Sequence, residues 1–435
     1  MLEKIPQKVH FVGVGGIGMS ALAQHLLRLG HVVTGTDRQE NEQTVKLRKL
    51  GANVTIGHSE TAPQGAELVV HTSAVPQDNC ELIYAKNHGI PTVLREELLG
   101  TVFNNFQTRI AVCGAHGKTT VTAMIHHVLE RCGVSHAAFI GGEYGGSNYF
   151  FGEKVVVAEA CEYNRSFLCL RPNICVCLNV EHDHPDCYPT PQDTERAFQA
   201  MFAQSDKVIL PAKHKNLCKK ALLCGQDVLA RNIKITNGLP CFEVVCCGET
   251  VGNVSLSVCG KHNVCNATAV VAMAHLLGLP MLQVLQALHT FNGVDRRWTV
   301  TEGLCTVVCD YAHHPTEIEA TLNTAKSIVK KDGRIICVFQ PHTYTRTQTF
   351  FRCFVDCFQG CDQVIYLPIY SAREQPIPNV TSRGLCNLAK MQGLNAKYMP
   401  SFTKVADYVK RTAKPNDLVL LIGAGDVNQI AELLR

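Results

Sequence analysis

Several things missing from this 435-residue sequence narrow what it does. No run of about 18 consecutive apolar residues occurs, so a membrane-spanning helix is not expected. The opening MLEKIPQKVH has no apolar core of the kind that directs export, which makes a cytoplasmic location the expectation. A dominant charge is missing too. Lys+Arg 41 against Asp+Glu 37 leave +4, too weak a field to mark a nucleic-acid partner. Low-complexity tracts and short-period repeats are absent. The 22 cysteines never form C-x-x-C; the nearest spacings are Cys175/Cys177 and the adjacent pair Cys246 and Cys247. Scattered through apolar patterns of a chain large enough to need no disulfide staples, they read as small buried hydrophobes in a reducing compartment. Cys353, Cys357 and Cys361 would share one face of a helix expected near 348–358.

What is present is alternation. KVHFVGV (8–14), HVVTGTD (31–37) and ELVVHTS (67–73) read as strands, with a helix from Met19 to Leu29 between the first two. After VFNNFQT (102–108), read as a linker, the pattern restarts with RIAVCGAHGKTT, and it restarts again after GVDRRW (293–298). Strands alternating with helices predict parallel, doubly wound sheets. The expected organisation is three consecutive α/β domains, at 1–107, 108–294 and 295–435.

Four groups of residues carry chemistry. In GVGGIG, Gly13, Gly15, Gly16 and Gly18 follow a strand and open a helix, and Asp37 ends the next strand. Glycines let backbone approach a diphosphate, which the helix N-terminus stabilises; the ligand is a nucleotide, either NAD or a UDP-sugar. In GAHGKTT, Gly114, Gly117, Lys118, Thr119 and Thr120 make a shortened phosphate loop, with Val112 where the longer motif has glycine. A lysine at a helix N-terminus opposes the helix dipole unless an anion sits beside it, so ATP is expected. Glu159, Glu162, Glu181, His182, Asp183, His184 and Asp186 lie at or just beyond strand ends, where carboxylate and imidazole suit Mg²⁺ bridged to phosphate. In the last third, Asn263 and Asn266 near a helix start are placed for a base or ribose. Arg296 and Arg297 are placed at the junction of two domains, where a guanidinium fork can reach phosphate across the cleft, while His313, His314, His342 and Arg346 stand near further strand ends, where such sheets bind ligands.

Taken in order, GVGGIGMSALA, GAHGKTT, EACEYNRSFL, NVEHDHPD, GKHNVCNA, DYAHHPTEI, FQPHTYTRT, IYSAREQPI and IGAGDV resemble the Mur ligase family across essentially the whole chain. The likeness is greatest to the branch that adds the first amino acid of the peptidoglycan stem peptide. Ala115, Cys161 and Cys309 stand where many members carry Thr, Asp and Asp, which leaves Asp310 as the sole acid before Tyr311.

The resemblance implies a Rossmann-like UDP-binding domain, a central P-loop ATPase-type domain and a C-terminal Rossmann-like α/β domain. It implies MgATP as cofactor, with UDP-N-acetylmuramate and L-alanine as substrates, in a monomer or homodimer that inserts into no membrane. The lactoyl carboxylate would take the γ-phosphoryl group, and the alanine amine would then displace phosphate. By motif, Lys118 would neutralise the transferred group, and Thr119, Glu159 and His184 would hold magnesium. Gly114, Gly117, Thr120, Asn263, Asn266 and Arg297 would hold the nucleotide. Gly13 to Gly18, Asp37 and Ser73 would bind the UDP-sugar, while Tyr311, His313 and Arg346 would shape the alanine end. Three rivals stay open: a related ligase that joins a whole tripeptide to the same sugar, a nicotinamide-dependent dehydrogenase built on GVGGIG, and a non-enzymatic nucleotide sensor.

Overall fold

Short apolar strands alternating with amphipathic helices build three separate sheets. The computed structural model describes residues 4–184, 187–372 and 374–435.

The first sheet comes from β1 (Lys8–Val12), α1 (Ile17–Arg28), β2 (Val32–Asp37), α2 (Glu42–Lys49), β3 (Asn53–Ile56), β4 (Leu68–His71), α3 (Cys80–Asn87) and β5 (Thr92–Leu94). Its strand order is β3-β2-β1-β4-β5, parallel throughout. Parallel strands need cover on both faces, and the sequence supplies it. Val9 and Phe11 face the cluster that holds Leu22 and Leu26 of α1, while Val12 and Val69 face Leu82 and Ala85 of α3. The stretch expected to be a linker opens as helix: α4 spans Arg95–Asn104, so the first three residues of the stretch are helical, and Val102 and Phe103 are buried. The aromatic content of that stretch serves the core, which leaves only 105–107 as connection.

The second sheet begins with β6 (Thr108–Cys113) and α5 (Lys118–Arg131). The hairpin β7 (His136–Tyr144) and β8 (Ser147–Phe150) follows, then β9 (Val155–Glu159), β10 (Ile174–Cys177), α6 (Pro191–Ala203), β11 (Lys207–Pro211) and β12 (Leu222–Cys224). Three longer strands, β13 (Val228–Thr236), β14 (Leu239–Cys246) and β15 (Glu249–Ser255), precede α7 (His262–Leu277) and α8 (Met281–His289). The order is β15-β14-β13-β12-β11-β10-β6-β9-β7-β8. While β13, β14 and β15 are divided between two compact units, the first sheet and the second as far as β12 share one of them, composed of Met1–Ala230, Val244–Gly252 and Asn266–Leu288. Inside it α1 locks onto the β7–β8 hairpin: Gln24 donates to Asn148 at 2.9 Å, and His25 Nδ1 meets the Tyr149 hydroxyl at 2.8 Å.

The second unit, Arg231–Glu243, Asn253–Cys265 and His289–Arg435, carries the third sheet. Its elements are β16 (Thr299–Glu302), β17 (Thr306–Asp310), α9 (Pro315–Ile328), β18 (Ile335–Phe339), α10 (Tyr344–Thr349), α11 (Cys353–Asp356), β19 (Gln363–Tyr366), α12 (Ser382–Met391), β20 (Ala396–Tyr398), α13 (Phe402–Thr412), β21 (Leu418–Ile422) and α14 (Gln429–Leu433). The order is β16-β17-β21-β18-β19-β20, and among the described residues only β16 runs antiparallel to its neighbour. The single helix expected near 348–358 is two short ones, so Cys353, Cys357 and Cys361 do not line one helix. Cys357 is buried and Cys353 exposed.

Candidate active site

Both Gly114 (φ 131°) and Gly117 (φ 84°) hold left-handed backbone, where a side chain is strained. Space is tight as well. A Cβ on Gly114 would meet the Asn179 backbone N at 3.0 Å, and one on Gly117 would meet Asn266 Oδ1 at 3.2 Å. Asn179 fixes the loop from below, its Oδ1 accepting from the His116 N–H at 3.0 Å and its Nδ2 donating to the His116 carbonyl at 3.1 Å. The turn delivers Lys118 to the first position of α5, with Thr119 and Thr120 behind it. Lys118 Nζ donates to the Gly114 carbonyl at 2.5 Å, the Ala115 carbonyl at 3.2 Å and Glu162 Oε2 at 2.9 Å. Burial works against its charge, yet Glu162, and more weakly Cys161 and Glu159, hold its pKa above the ordinary lysine value. The lysine is a permanent cation.

Glu162 belongs at the same time to a cluster with Asp183 and His184, whose ligand atoms all lie within 4.8 Å of one another. His184 Nε2 sits 3.7 Å from Glu162 Oε1 and 3.7 Å from Asp183 Oδ2. The His184 backbone is left-handed (φ 59°), and its N–H donates to Asp183 Oδ1 at 2.8 Å. Two carboxylates and an imidazole, tied through Lys118 to a phosphate loop, fit Mg²⁺. Of the ligands expected from sequence, Thr119 lies buried in the first turn of α5. Glu159, at the end of β9, accepts the Gly141 N–H at 2.6 Å. His182 is bound to the Tyr188 carbonyl at 2.8 Å, a packing role, and Glu181 pairs with His116 at 3.2 Å. Asp186 lies outside the described residues.

The glycine turn at 13–18 is held from the next strand. The N–H groups of Gly13 and Val14 both donate to the Thr36 carbonyl, at 2.8 and 2.9 Å, and the Gly15 N–H donates to Asp37 Oδ2 at 2.8 Å. Asp37 therefore shapes the loop with one of its oxygens. Gly16 caps α1, whose first turn contains no acid. Arg95 lies along that turn, its Cδ 3.1 Å from where a Cβ on Gly18 would stand. Sequence reasoning passed over Arg95, although a cation at the first position of α4 is the same signal that singled out Lys118. Ser73 is exposed just past the end of β4.

In the second unit the end of β17 gathers another cluster. The N–H groups of Trp298 and Ala312 donate to Asp310, at 3.0 and 2.9 Å, and burial pushes its pKa up to about 6. The Arg296 and Arg297 guanidinium carbons lie 4.9 and 5.0 Å from the centre of the Tyr311 ring. Glu317 receives the His313 N–H at 2.9 Å and stands 3.7 Å from Arg297. His313 Nδ1 lies 3.0 Å from the Tyr311 carbonyl; donating there leaves Nε2 as the free lone pair. Burial takes the His313 pKa down to about 3, against the pull of Glu317 and with help from the charge of Arg346. The imidazole is neutral at physiological pH. His342 is 6.1 Å from the His313 ring and stacks on Tyr370. Asn263 donates to the Cys259 carbonyl at 2.7 Å. Glu317 and Tyr370 were not singled out from sequence, where nothing marks them beyond ordinary helix-start and loop positions.

Comparison with known proteins bears on all three sheets. Residues 8–107 match the Mur ligase family catalytic domain, 112–274 the Mur ligase middle domain, and 296–425 the Mur ligase glutamate ligase domain. A UDP-N-acetylmuramate–L-alanine ligase of Clostridium perfringens is 37% identical over 100% of this chain and 98% of its own. The crystal structure of the UDP-N-acetylmuramate–alanine ligase of Thermotoga maritima superposes with a TM-score of 0.86 at 30% identity, covering 98% of both chains. A murein peptide ligase of Psychrobacter arcticus shares the fold, with a TM-score of 0.74 at 22% identity over 99% of this chain and 98% of that one. Glycine turn, phosphate loop and histidine–arginine cluster thus stand on a shared framework that runs the full length of the protein. The chain belongs to the Mur ligase family.

Proposed function

We propose that the protein joins L-alanine to the lactoyl carboxylate of UDP-N-acetylmuramate at the expense of ATP, the first stem-peptide step of peptidoglycan synthesis, in the cytoplasm. A carboxylate is a poor electrophile at neutral pH. Its oxygen attacks the γ-phosphorus, ADP leaves, and the acyl phosphate that results carries a good leaving group. The alanine amine attacks the acyl carbon, the nitrogen loses a proton, and phosphate departs with its electron pair. The products are the amide, ADP and phosphate.

One observation carries the reading: Lys118 at the head of α5, bonded to Glu162, which itself belongs to the Glu162–Asp183–His184 donor set. Lys118 balances charge on the phosphoryl group in flight. Thr119, Glu159, Glu162, Asp183 and His184 are the groups to hold Mg²⁺, which when bound screens the phosphate oxygens. Gly114, Gly117, Thr120 and Asn266 cradle the nucleotide. The turn at Gly13 to Gly18, with Arg95, takes the UDP diphosphate. Arg346 pairs with the alanine carboxylate, and the neutral Nε2 of His313 accepts the amine proton. Tyr311, with two guanidinium groups against its ring, forms a wall of that site. We assign one domain to each sheet, at 1–107, 108–294 and 295–435.

The tripeptide ligase is the weaker reading, since the murein peptide relative shares the fold at lower identity than the alanine ligases. The dehydrogenase leaves the phosphate loop and its donor set without a purpose. Coupled phosphate release with purified UDP-N-acetylmuramate and a panel of amino acids, the tripeptide included, decides. Fastest release with L-alanine is expected. Preference for the tripeptide, or release that ignores the amine, overturns the proposal.

A further inference from the structure

A second group of metal-binding side chains lies away from the phosphate loop, in the same compact unit. Cys246 ends β14, and Cys247 opens the turn into β15. Neighbouring residues of a strand point to opposite faces, so two adjacent cysteines do not ordinarily converge. Here they do. Cys247 (φ 50°) and Gly248 (φ 90°) are both left-handed, and the Cys247 N–H is anchored to the Asp227 carbonyl at 2.7 Å. That backbone turns the second thiol back toward the first. Cys246 Sγ, Cys247 Sγ and a ring nitrogen of His275 all lie within 4.8 Å of one another, and Cys247 Sγ is 3.7 Å from His275 Nε2. Cys246 is 5% exposed, whereas Cys247 and His275 are open to solvent, so an ion has both a buried anchor and a way in.

We propose that Cys246, Cys247 and His275 bind one thiophilic cation, Zn²⁺, with water in the fourth position. Two sulfurs and one imidazole are a soft donor set that Mg²⁺ declines and Zn²⁺ takes in tetrahedral geometry. Each thiol releases its proton to solvent as its sulfur bonds the metal. The position adds a reason. His275 lies in the last turn of α7, where positive charge is favoured by the helix dipole. Nine residues earlier on that helix, about 14 Å away by helical rise, Asn266 meets the phosphate loop at Gly117. The ion would pin the β14–β15 turn to the far end of the helix that backs the ATP loop. The Mg²⁺ site proposed above plays no part in this inference.

The test uses the full-length reduced protein, with Co²⁺ as spectroscopic probe. One equivalent should give the thiolate-to-cobalt charge-transfer band, which Zn²⁺ abolishes and millimolar Mg²⁺ does not. Cys247→Ser and His275→Ala should weaken binding about tenfold or more each, while Cys353→Ser, an exposed cysteine elsewhere, leaves it unchanged. Cys247→Ser is nearly isosteric and exposed, so it should fold and keep its Mg²⁺-dependent phosphate release. Zn²⁺ should raise the melting temperature of the wild type but not of the double variant Cys247→Ser/His275→Ala. No charge-transfer band at one equivalent, a band that persists in the double variant, or a wild-type melting temperature indifferent to Zn²⁺ would each overturn the site.

Discussion

Lys118 Nζ lies 2.9 Å from Glu162 Oε2, and that ion pair joins the head of α5 to the acidic and imidazole groups beyond β9 and β10. A cation at a helix N-terminus needs an anion, and Glu162 provides one. A triphosphate bound at the loop would compete for the same ammonium group. The two residues are therefore predicted to act as a coupled pair in catalysis rather than as independent contributors.

Replacing Lys118 by Ala is expected to lower kcat for alanine-dependent phosphate release by about 10²–10³-fold or more, the scale for removing a preorganised charge from a transition state. Lys118→Arg should rescue little, because a planar fork does not fit a site built around carbonyls at 2.5 and 3.2 Å. Calorimetry with UDP-N-acetylmuramate should show binding within about threefold of wild type, since the sugar is assigned to the turn at 13–18. Loss of both activities together would place the phosphate loop in the sugar site instead.

Glu162→Gln, His184→Ala and Glu159→Gln should each raise the Mg²⁺ concentration for half-maximal activity by about 10–100-fold. Glu162→Gln should do most damage, because it also removes the negative charge paired with Lys118. A magnesium titration of phosphate release reads this directly. An unchanged curve for any one of the three removes that residue from the ligand set.

Much of this was legible in the sequence, and the reasons are local. Gly114 and Gly117 favour glycine because their backbones are left-handed and their Cβ positions are crowded, so the motif writes its geometry into the residue type. The apolar runs of β1, β4 and β10 announce doubly covered strands in the same way. What could not be read depends on distance along the chain. Glu162 reaches Lys118 across 44 residues, and Arg95 reaches Gly18 across 77, with no periodicity to betray either contact. The segment 102–108 misled because Asn and Phe suggest a loop, whereas burial of Phe103 decides for helix. The helix expected at 348–358 is interrupted by a turn at 350–352 between α10 and α11, a break that no glycine or proline marks in the sequence.

Arg346→Ala is expected to raise KM for L-alanine by about 30-fold or more, near 2 kcal/mol, with KM for ATP and for the UDP-sugar nearly unchanged. A lost carboxylate partner acts on one substrate alone. Steady-state kinetics with each substrate varied in turn makes the check. A uniform loss of kcat with KM for alanine untouched would assign the arginine to the phosphoryl group.

Stability should fall on mild acidification, and two histidines say where. Burial first, then the charge of His31, takes His25 down to about 4; burial first, then His136 and His127, takes His126 down to about 3. In the unfolded chain both titrate near 6.5. Between these values the unfolded state binds more protons, so stability is complete above about pH 7 and drains away as pH falls through 6.5. At pH 5 each such group is worth about 2 kcal/mol by this linkage. Glu81 acts in the same direction lower down. Burial raises its pKa, but hydrogen bonds from His10, His58 and Thr36 outweigh that and hold it below 4.5, so its share goes only under pH 4.5. His126 stacks on Phe150 with ring centres 3.8 Å apart and bonds His136 at 2.7 Å. Phenylalanine at 126 keeps the stack and removes the titration. It should cost stability at pH 8, where His136 loses one of its two hydrogen bonds, yet shrink the drop in melting temperature between pH 7 and pH 5. Melting curves across that range measure both effects, and a variant whose slope against pH matches the wild type would show that protonation of His126 does not drive acid unfolding.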